Sequence, residues 1–470
     1  MPIKSSPPNG RPTIPSQPAD RPRRMRYAGP LGLSLAVAFF GLAIYLFWRT
    51  DPGQARTASI AMFRSAPELA AIVIFLATYL VVAVGRIPGL HLDRAGAALL
   101  GASLIVACGI LTLPEAYQSI DFDTITLLLG MMIVVANLRL SGFFRLLNGW
   151  VVTRAHHPII LLTAVTFVSG LFSAFLVNDT VCLVLTPLVL QLVRQLRRNP
   201  VPYLLAVAMA SNVGSTATIT GNPQNMIIGS LSHVPYGTFA ATLAPIAVIG
   251  LLLTVALIML SFRGEFFTRD RLHAEPEPSR ENRPLVIKSV GTTLAMLVGF
   301  FAGLPAPKVA IVAGALLLIT RRVKAAKVYR EIDGPLLIMF AGLFVVVAGL
   351  EKAVLSPQLI AAVSRTHLDS LPVLGGVTAV LSNIVSNVPA VLILKPFIEH
   401  LRNPQHAWLT VAMASTLAGN FTILGSVANL IVVQGARAQK VEISFWTYFR
   451  VGAPLTVLTI AVGVLWLAFA

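Results

Sequence analysis

Charged side chains are scarce in this chain. Only 12% of its 470 residues are Asp, Glu, Lys or Arg, 56% are apolar, and the mean hydropathy is +0.79. A soluble domain carries about twice that share of charge, so a soluble fold is excluded. Cysteine is almost missing too. Cys108 and Cys182 both fall in apolar stretches, where a thiol packs as a small hydrophobe, and they set up no disulfide framework. There is no P-loop or Walker pattern, so ATP drive is not expected. His156 and His157, beside Arg154, read as solvated loop residues, and no spacing suggests a metal site. No enzyme activity is expected, and no cofactor other than Na⁺ or H⁺ as a coupling ion.

What the chain has instead is long apolar runs. They lie at 30 to 48, 67 to 85, 95 to 111, 124 to 138, 201 to 230, 236 to 261, 286 to 304, 309 to 320, 334 to 350, 407 to 433 and 446 to 470. About twenty apolar residues cross a bilayer, so the chain reads as an all-α, multi-pass protein of the cell (inner) membrane. The formal charge of +17 sits in short loops between these runs, which points to cytoplasmic loops rather than nucleic acid. Residues 1 to 29, rich in Pro and Arg, read as a disordered cytoplasmic tail. The run 30 to 48 is too long for a signal-peptide core and lacks a clear cleavage site, so it reads as a retained first helix.

The chain is written twice. "AVAMASNVGSTATITGNPQNMIIG" (206 to 229) aligns with "TVAMASTLAGNFTILGSVANLIVV" (410 to 433), pairing Gly221 with Gly425 and Asn225 with Asn429. Upstream, "FSAFLVNDTVCLVLTP" (172 to 187) aligns with "LSNIVSNVPAVLILKP" (381 to 396), pairing Asn178 with Asn387 and Pro187 with Pro396. Arg139, Arg145 and Arg154 precede the segment 158 to 195, and Arg194, Arg197 and Arg198 close it. Both flanks read as cytoplasmic, so the segment is a re-entrant hairpin. Its partner, 371 to 400, then opens to the opposite face.

The expected architecture is one leading helix and two inverted repeats of five spans each, about eleven transmembrane helices in all. Repeat 1 covers 67 to 261 with its broken helix at 201 to 230. Repeat 2 covers 286 to 470 with its broken helix at 407 to 433. Residues 262 to 285 form a flexible cytoplasmic linker, and this topology puts the N-terminus inside, the C-terminus outside and most of the 36 basic residues on the cytoplasmic side. Inverted repeats with interrupted helices are the architecture of secondary transporters, which bind substrate and coupling ions where the repeats meet.

The polar chemistry concentrates at four places. "SNVGSTATITGNPQN" (211 to 225) and "STLAGNFTILGSVAN" (415 to 429) are dense in Ser, Thr, Asn, Gly and Pro, and non-helical backbone at membrane depth is tolerated only beside protein or a water-filled cavity. The hairpin tips read Asn178-Asp179-Thr180 and Ser386-Asn387-Val388-Pro389, and these residues also suit helix caps. The candidate substrate and ion site is therefore Asn178, Asp179, Thr180, Ser386 and Asn387 at the tips. Thr218, Thr220, Gly221, Asn222, Asn225, Thr422, Gly425, Ser426 and Asn429 would complete it at the breaks. Helix N-termini would hold an anion, and carbonyls with Asn and Asp oxygens a cation, with Na⁺ expected near Asn178, Asp179 and Asn387. Asp179, alone deep in an apolar segment, either holds Na⁺, carries a proton or caps its helix. Lys395 either attracts an anion or snorkels to the external surface.

"NDTVCLVLTPLVL", "SNVGSTATITGNPQN" and "SNVPAVLIL" resemble the ion transporter superfamily that groups arsenite permeases, NhaD-type Na⁺/H⁺ antiporters, citrate transporters and divalent anion/sodium symporters. The resemblance spans roughly 67 to 470, and a broad anion permease branch describes it best. It implies a protomer of eleven helices, usually a homodimer, with opposed hairpins in a transport region that moves like an elevator. In the symporter branch both tips carry Ser-Asn-Thr, which neither tip here reproduces in full; the "ND" tip resembles that of arsenite permeases. The expected function is secondary active transport of a small anion or oxyanion, coupled to Na⁺ or H⁺. The alternatives are arsenite or antimonite efflux, Na⁺/H⁺ antiport and, from a different class, a passive ion channel.

Overall fold

The computed structural model describes residues 60–85, 92–154, 157–268, 282–320, 323–354 and 368–469. The tail at 1–29, the leading helix at 30–48, His156 and linker residues 269–281 lie outside the described residues. The described residues are helical, with turns and loops between helices and no strand.

In order, the helices are α1 (Ile60–Val84), α2 (Arg94–Ala107), α3 (Leu113–Ser119), α4 (Phe122–Ser141), α5 (Phe143–Arg154), α6 (Pro158–Phe175), α7 (Asn178–Gln195), α8 (Pro200–Ser215), α9 (Pro223–Ser232) and α10 (Tyr236–Ser261). They continue with α11 (Arg263–Phe266), α12 (Arg283–Phe301), α13 (Ala306–Leu318), α14 (Ala325–Tyr329), α15 (Gly334–Val354), α16 (Leu371–Val385), α17 (Asn387–Ile398), α18 (Pro404–Ala418), α19 (Val427–Ala438) and α20 (Phe445–Phe469).

The starts follow from sequence. Asp93, Asp121, Asn199 and Asn403 place side-chain oxygens on the free N–H groups of α2, α4, α8 and α18, and proline opens α6, α8 and α18. Gly142, at φ 89°, ends α4 in the left-handed conformation that a side chain disfavours. On α3, Thr112 and Glu115 form a reciprocal capping box, and Glu115 also pairs with Lys352 at 2.6 Å. These contacts hold the Glu115 carboxyl at about 2, well below its usual range, with the hydrogen bond from Lys352 the largest cause.

Among the described residues, seven helices are long and apolar enough to cross a membrane: α1 from Pro67, α4, α6, α10, α12, α15 and α20. The helices α8 and α18 stop short because the polar breaks interrupt them. The arms of each hairpin, α6 with α7 and α16 with α17, pack on each other, and α8 and α18 pack on the first arms. Two further close pairs cross between the halves, α4 on α13 and α2 on α15. Both crossings hinge on a glycine. A Cβ on Gly130 would come within 2.5 Å of the Ala310 backbone, and one on Gly342 within 2.6 Å of the Ala98 backbone. Each contact is backbone on backbone, so the helices themselves would have to part. Gly130→Ala and Gly342→Ala should each lower stability by about 1–3 kcal/mol. Gly291→Ala, which meets nothing within 4 Å, should not. Thermal unfolding of the three variants in detergent checks this.

Two expectations change. His157 is not a solvated loop residue: its Nδ1 accepts from the Ile159 N–H at 3.2 Å, capping α6, and its Nε2 lies 3.2 Å from the Thr268 carbonyl. The first part of the linker packs onto the helices. Glu265 accepts from Arg198 at 2.8 Å and from the Tyr203 hydroxyl at 3.1 Å, and Phe266 is fully buried against Tyr203.

Candidate functional site

Both helix breaks are built alike. Thr218 and Thr422 turn extended, a short 3-10 turn follows, and Asn222 and Ser426 restart the helix with side chains that accept from the N–H groups of Asn225 and Ala428 at 2.9 and 3.3 Å. The carbonyls freed by each interruption are taken up by one amide. Asn225 Nδ2 donates to the Ser215 and Thr218 carbonyls, both at 3.0 Å, and Asn429 Nδ2 donates to those of Gly419 and Thr422 at 2.7 and 3.1 Å. Gly221 and Gly425 let the backbone fold this tightly, since a Cβ would lie 2.1 Å from the Ser215 oxygen and 2.8 Å from the Gly419 oxygen. The Thr218 hydroxyl donates to the Ala174 carbonyl, and Thr220 shares a 2.8 Å hydrogen bond with Tyr236.

A buried polar network joins the breaks to each other. Asn212 Nδ2 donates to Asn420 Oδ1 at 2.9 Å and Asn429 Oδ1 at 3.0 Å, while its Oδ1 accepts from Asn178 Nδ2 at 3.1 Å and Ser426 Oγ at 3.0 Å. Thr416, at the position aligned with Asn212, serves the other break: its hydroxyl accepts from Asn222 Nδ2 at 3.0 Å and Gln224 Nε2 at 3.3 Å. All eight residues are at most 6% exposed. Sequence reasoning missed Asn212 and Thr416, although the aligned pair of breaks marks them.

Beside this network lies a cavity of about 330 Å³. Both hairpin tips reach it, through Asn178 and Asp179 and through Ser386 to Pro389, as do the restarting helices at Pro223, Gln224, Ser426 and Val427. The other wall comes from α1, α2 and α15, and it carries Asp93, Arg94 and Asp333. Among the described residues, six helices begin at this cavity: α2, α7, α9, α15, α17 and α19. Their first N–H groups have no partner within the helix, which makes such starts ready sites for an anion.

Two acceptors are left over. Asn178 Oδ1 and Asn387 Oδ1 are buried without a hydrogen-bond partner among the described residues, and both residues line the cavity. An unmet buried acceptor costs about 1–3 kcal/mol, so a cation or a donor fits there. Asp179 makes no hydrogen bond to a described residue, and no side-chain cap forms at the start of α7, so its carboxylate faces the cavity rather than capping the helix. Ser386 holds φ 79°, a left-handed backbone that a serine rarely adopts, at the second tip.

Of the expected site residues, Asn178, Asp179, Ser386, Asn387 and Ser426 line the cavity. Thr218, Thr220, Gly221, Asn222, Asn225, Thr422, Gly425 and Asn429 build the breaks behind it, and Thr180 sits in the first turn of α7 away from it. Arg94, Asp93 and Asp333 were not anticipated, because charges at span edges read as loop residues. Lys395 is half-buried and pairs with Glu351 at 3.3 Å, so it is neither cavity-lining nor a free surface charge.

Residues 78–418 match the family model described as citrate transporter. The "46 kDa membrane protein" of Mycobacterium leprae is 30% identical, covering 85% of this chain and 98% of its own length. The silicon efflux transporter LSI3 of Oryza sativa is 29% identical over 80% of this chain and 93% of its own. A putative transporter arsB of Dictyostelium discoideum is 26% identical over 80% and 87%. Among solved structures, the Alcanivorax borkumensis YdaH transporter shares the fold, with a TM-score of 0.56 at 16% identity over 86% of this chain and 98% of that one. The chain is an all-helical, multi-pass membrane protein and a permease, and it belongs to the citrate transporter family.

Proposed function

We propose that this permease is a secondary active transporter of a small anion or oxyanion, coupled to Na⁺ or H⁺, in the cell (inner) membrane. The observation that carries this reading is the cavity where six helix starts meet two unpartnered amide oxygens and one free carboxylate. Helix N-termini and Arg94 suit an anion, and Asn178 Oδ1, Asn387 Oδ1 and Asp179 suit a small cation or a proton. Na⁺ would be held by those three residues. The order hairpin, broken helix, long helix occurs in both halves, and reciprocal glycine contacts tie them, which supports two inverted repeats. The hairpins and breaks would move together past α2, α4, α13 and α15 in an elevator-like step, within a homodimer.

Reconstitution in liposomes tests the reading. Saturable uptake of labelled anions that accumulates under an imposed Na⁺ or proton gradient is expected; conductance without saturation or accumulation would mean a passive channel instead. A second reading, efflux of arsenite or antimonite, draws on the name arsB of the Dictyostelium relative and on the rice relative being an efflux transporter, there of silicon. Expression that protects arsenite-sensitive cells would support it. Na⁺/H⁺ antiport would appear as dequenching of a pH dye on adding Na⁺ with no anion present.

A further inference from the structure

The charge of the cargo follows from the walls of the cavity. Six helices start there and two, α1 at Gly85 and α16 at Ser386, end there. A helix end carries roughly half an elementary charge, positive at the start and negative at the finish, so the backbone supplies about two positive charges. Arg94 adds one, and Asp93, Asp179 and Asp333 remove three. Summed over the described residues, with these side chains charged, the walls are close to neutral. A monovalent anion entering with one monovalent cation keeps the cavity so. A trivalent anion with the same single cation leaves two uncompensated charges in a half-closed, low-dielectric space.

We infer that the cavity takes a singly charged anion together with one monovalent cation, and that Arg94 is the specificity-determining residue that sets this limit. The inference rests on the reading of the protein as a coupled anion transporter. Arg94 is the first residue of α2, where a cation opposes the helix dipole, so its place is not explained by the stability of that helix. It forms no ion pair within 4 Å among the described residues, although the charges of Arg94 and Asp179 act on each other. Asp93 and Asp333 are both engaged as caps, Asp93 Oδ1 on the Gly96 N–H at 2.8 Å and Asp333 Oδ1 on the Leu336 N–H at 3.0 Å. Space for the guanidinium is provided by Gly85, where a Cβ would lie 3.3 Å from Arg94 Nε. A planar guanidinium whose donors make no hydrogen bond to a described residue is suited to two oxygens of one anion. The cation side is separate: Asn178, 4% exposed, lines the cavity, and its buried Oδ1 has no hydrogen-bond partner among the described residues.

The test is counterflow in liposomes with labelled lactate, nitrate, dihydrogen phosphate, arsenite, sulfate, succinate and citrate at one pH, for wild type, Arg94→Gln and Arg94→Lys. The wild type should favour monovalent anions, and its uptake should be indifferent to a membrane potential imposed with valinomycin, as one-to-one entry of opposite charges requires. Arg94→Gln should raise the KM for the preferred anion roughly 10- to 100-fold with little change in maximal rate, and Arg94→Lys should restore part of it. A preference for succinate or citrate, or a KM unchanged in Arg94→Gln, overturns the inference while leaving coupled transport intact. A wild type that moves only uncharged arsenous acid, or nothing in the panel, overturns the anion reading and this inference with it.

Discussion

If the permease is the coupled anion transporter proposed above, Asp179→Asn is expected to leave a protein that still carries the anion but no longer accumulates it against a gradient. The substitution keeps the shape of the side chain and removes one negative charge. No hydrogen bond to a described residue is lost, so folding should be unaffected. With that charge gone, the cavity attracts an anion without the cation that the carboxylate would otherwise demand. Contacts of this kind are worth about 1.5–3 kcal/mol, so concentrative uptake should fall roughly 10- to 100-fold while downhill exchange persists. Accumulation ratios in proteoliposomes under imposed Na⁺ and proton gradients measure this. An unchanged ratio would remove Asp179 from the coupling step.

The parts of the site that were legible in the sequence are those with a local signal. A polar tip between two apolar arms, or a cluster of Gly, Asn and Thr inside a spanning run, stands out because the bilayer tolerates neither without a reason. The residues that lie behind the cavity are a different matter. Asn225 and Asn429 look like ligands in sequence, yet their amides are consumed by the carbonyls that the break itself sets free. The side chains that satisfy a break and those that could bind an ion are the same types, so only geometry separates them.

Arg94, Asp93 and Asp333 were hidden for the opposite reason. Each sits where an apolar run begins, which is where loop charges ordinarily lie. What brings them to the hairpin tips is the packing of α2 on α15 across the two halves, a contact between segments more than two hundred positions apart that no local pattern encodes. Asn212 combines both problems: it is a single amide in a helix, and its partners Asn420, Ser426 and Asn429 belong to the other half.

Asn212→Ala should be among the most damaging single substitutions in this protein. It strips partners from Asn178 Nδ2, Ser426 Oγ, Asn420 Oδ1 and Asn429 Oδ1 at once, all of them buried. Hydrogen bonds between helices in a membrane protein average only about 0.6 kcal/mol, but a buried group left without any partner costs about 1–3 kcal/mol. Asn420 and Asn429 keep their own amide donors engaged elsewhere, so their Oδ1 atoms are the ones stranded. A total loss of about 2–4 kcal/mol is expected, read as a lower unfolding temperature in detergent. Asn212→Thr should cost less, because Thr416 already serves the matching position with one hydroxyl. Transport should fail in the alanine variant even below its unfolding temperature, since Asn212 is what holds the Asn178 amide and, through it, aims the first hairpin tip at the cavity. If Asn212→Ala unfolds with the wild type and transports at its rate, the two breaks are joined by packing alone and the amide network has no share in it.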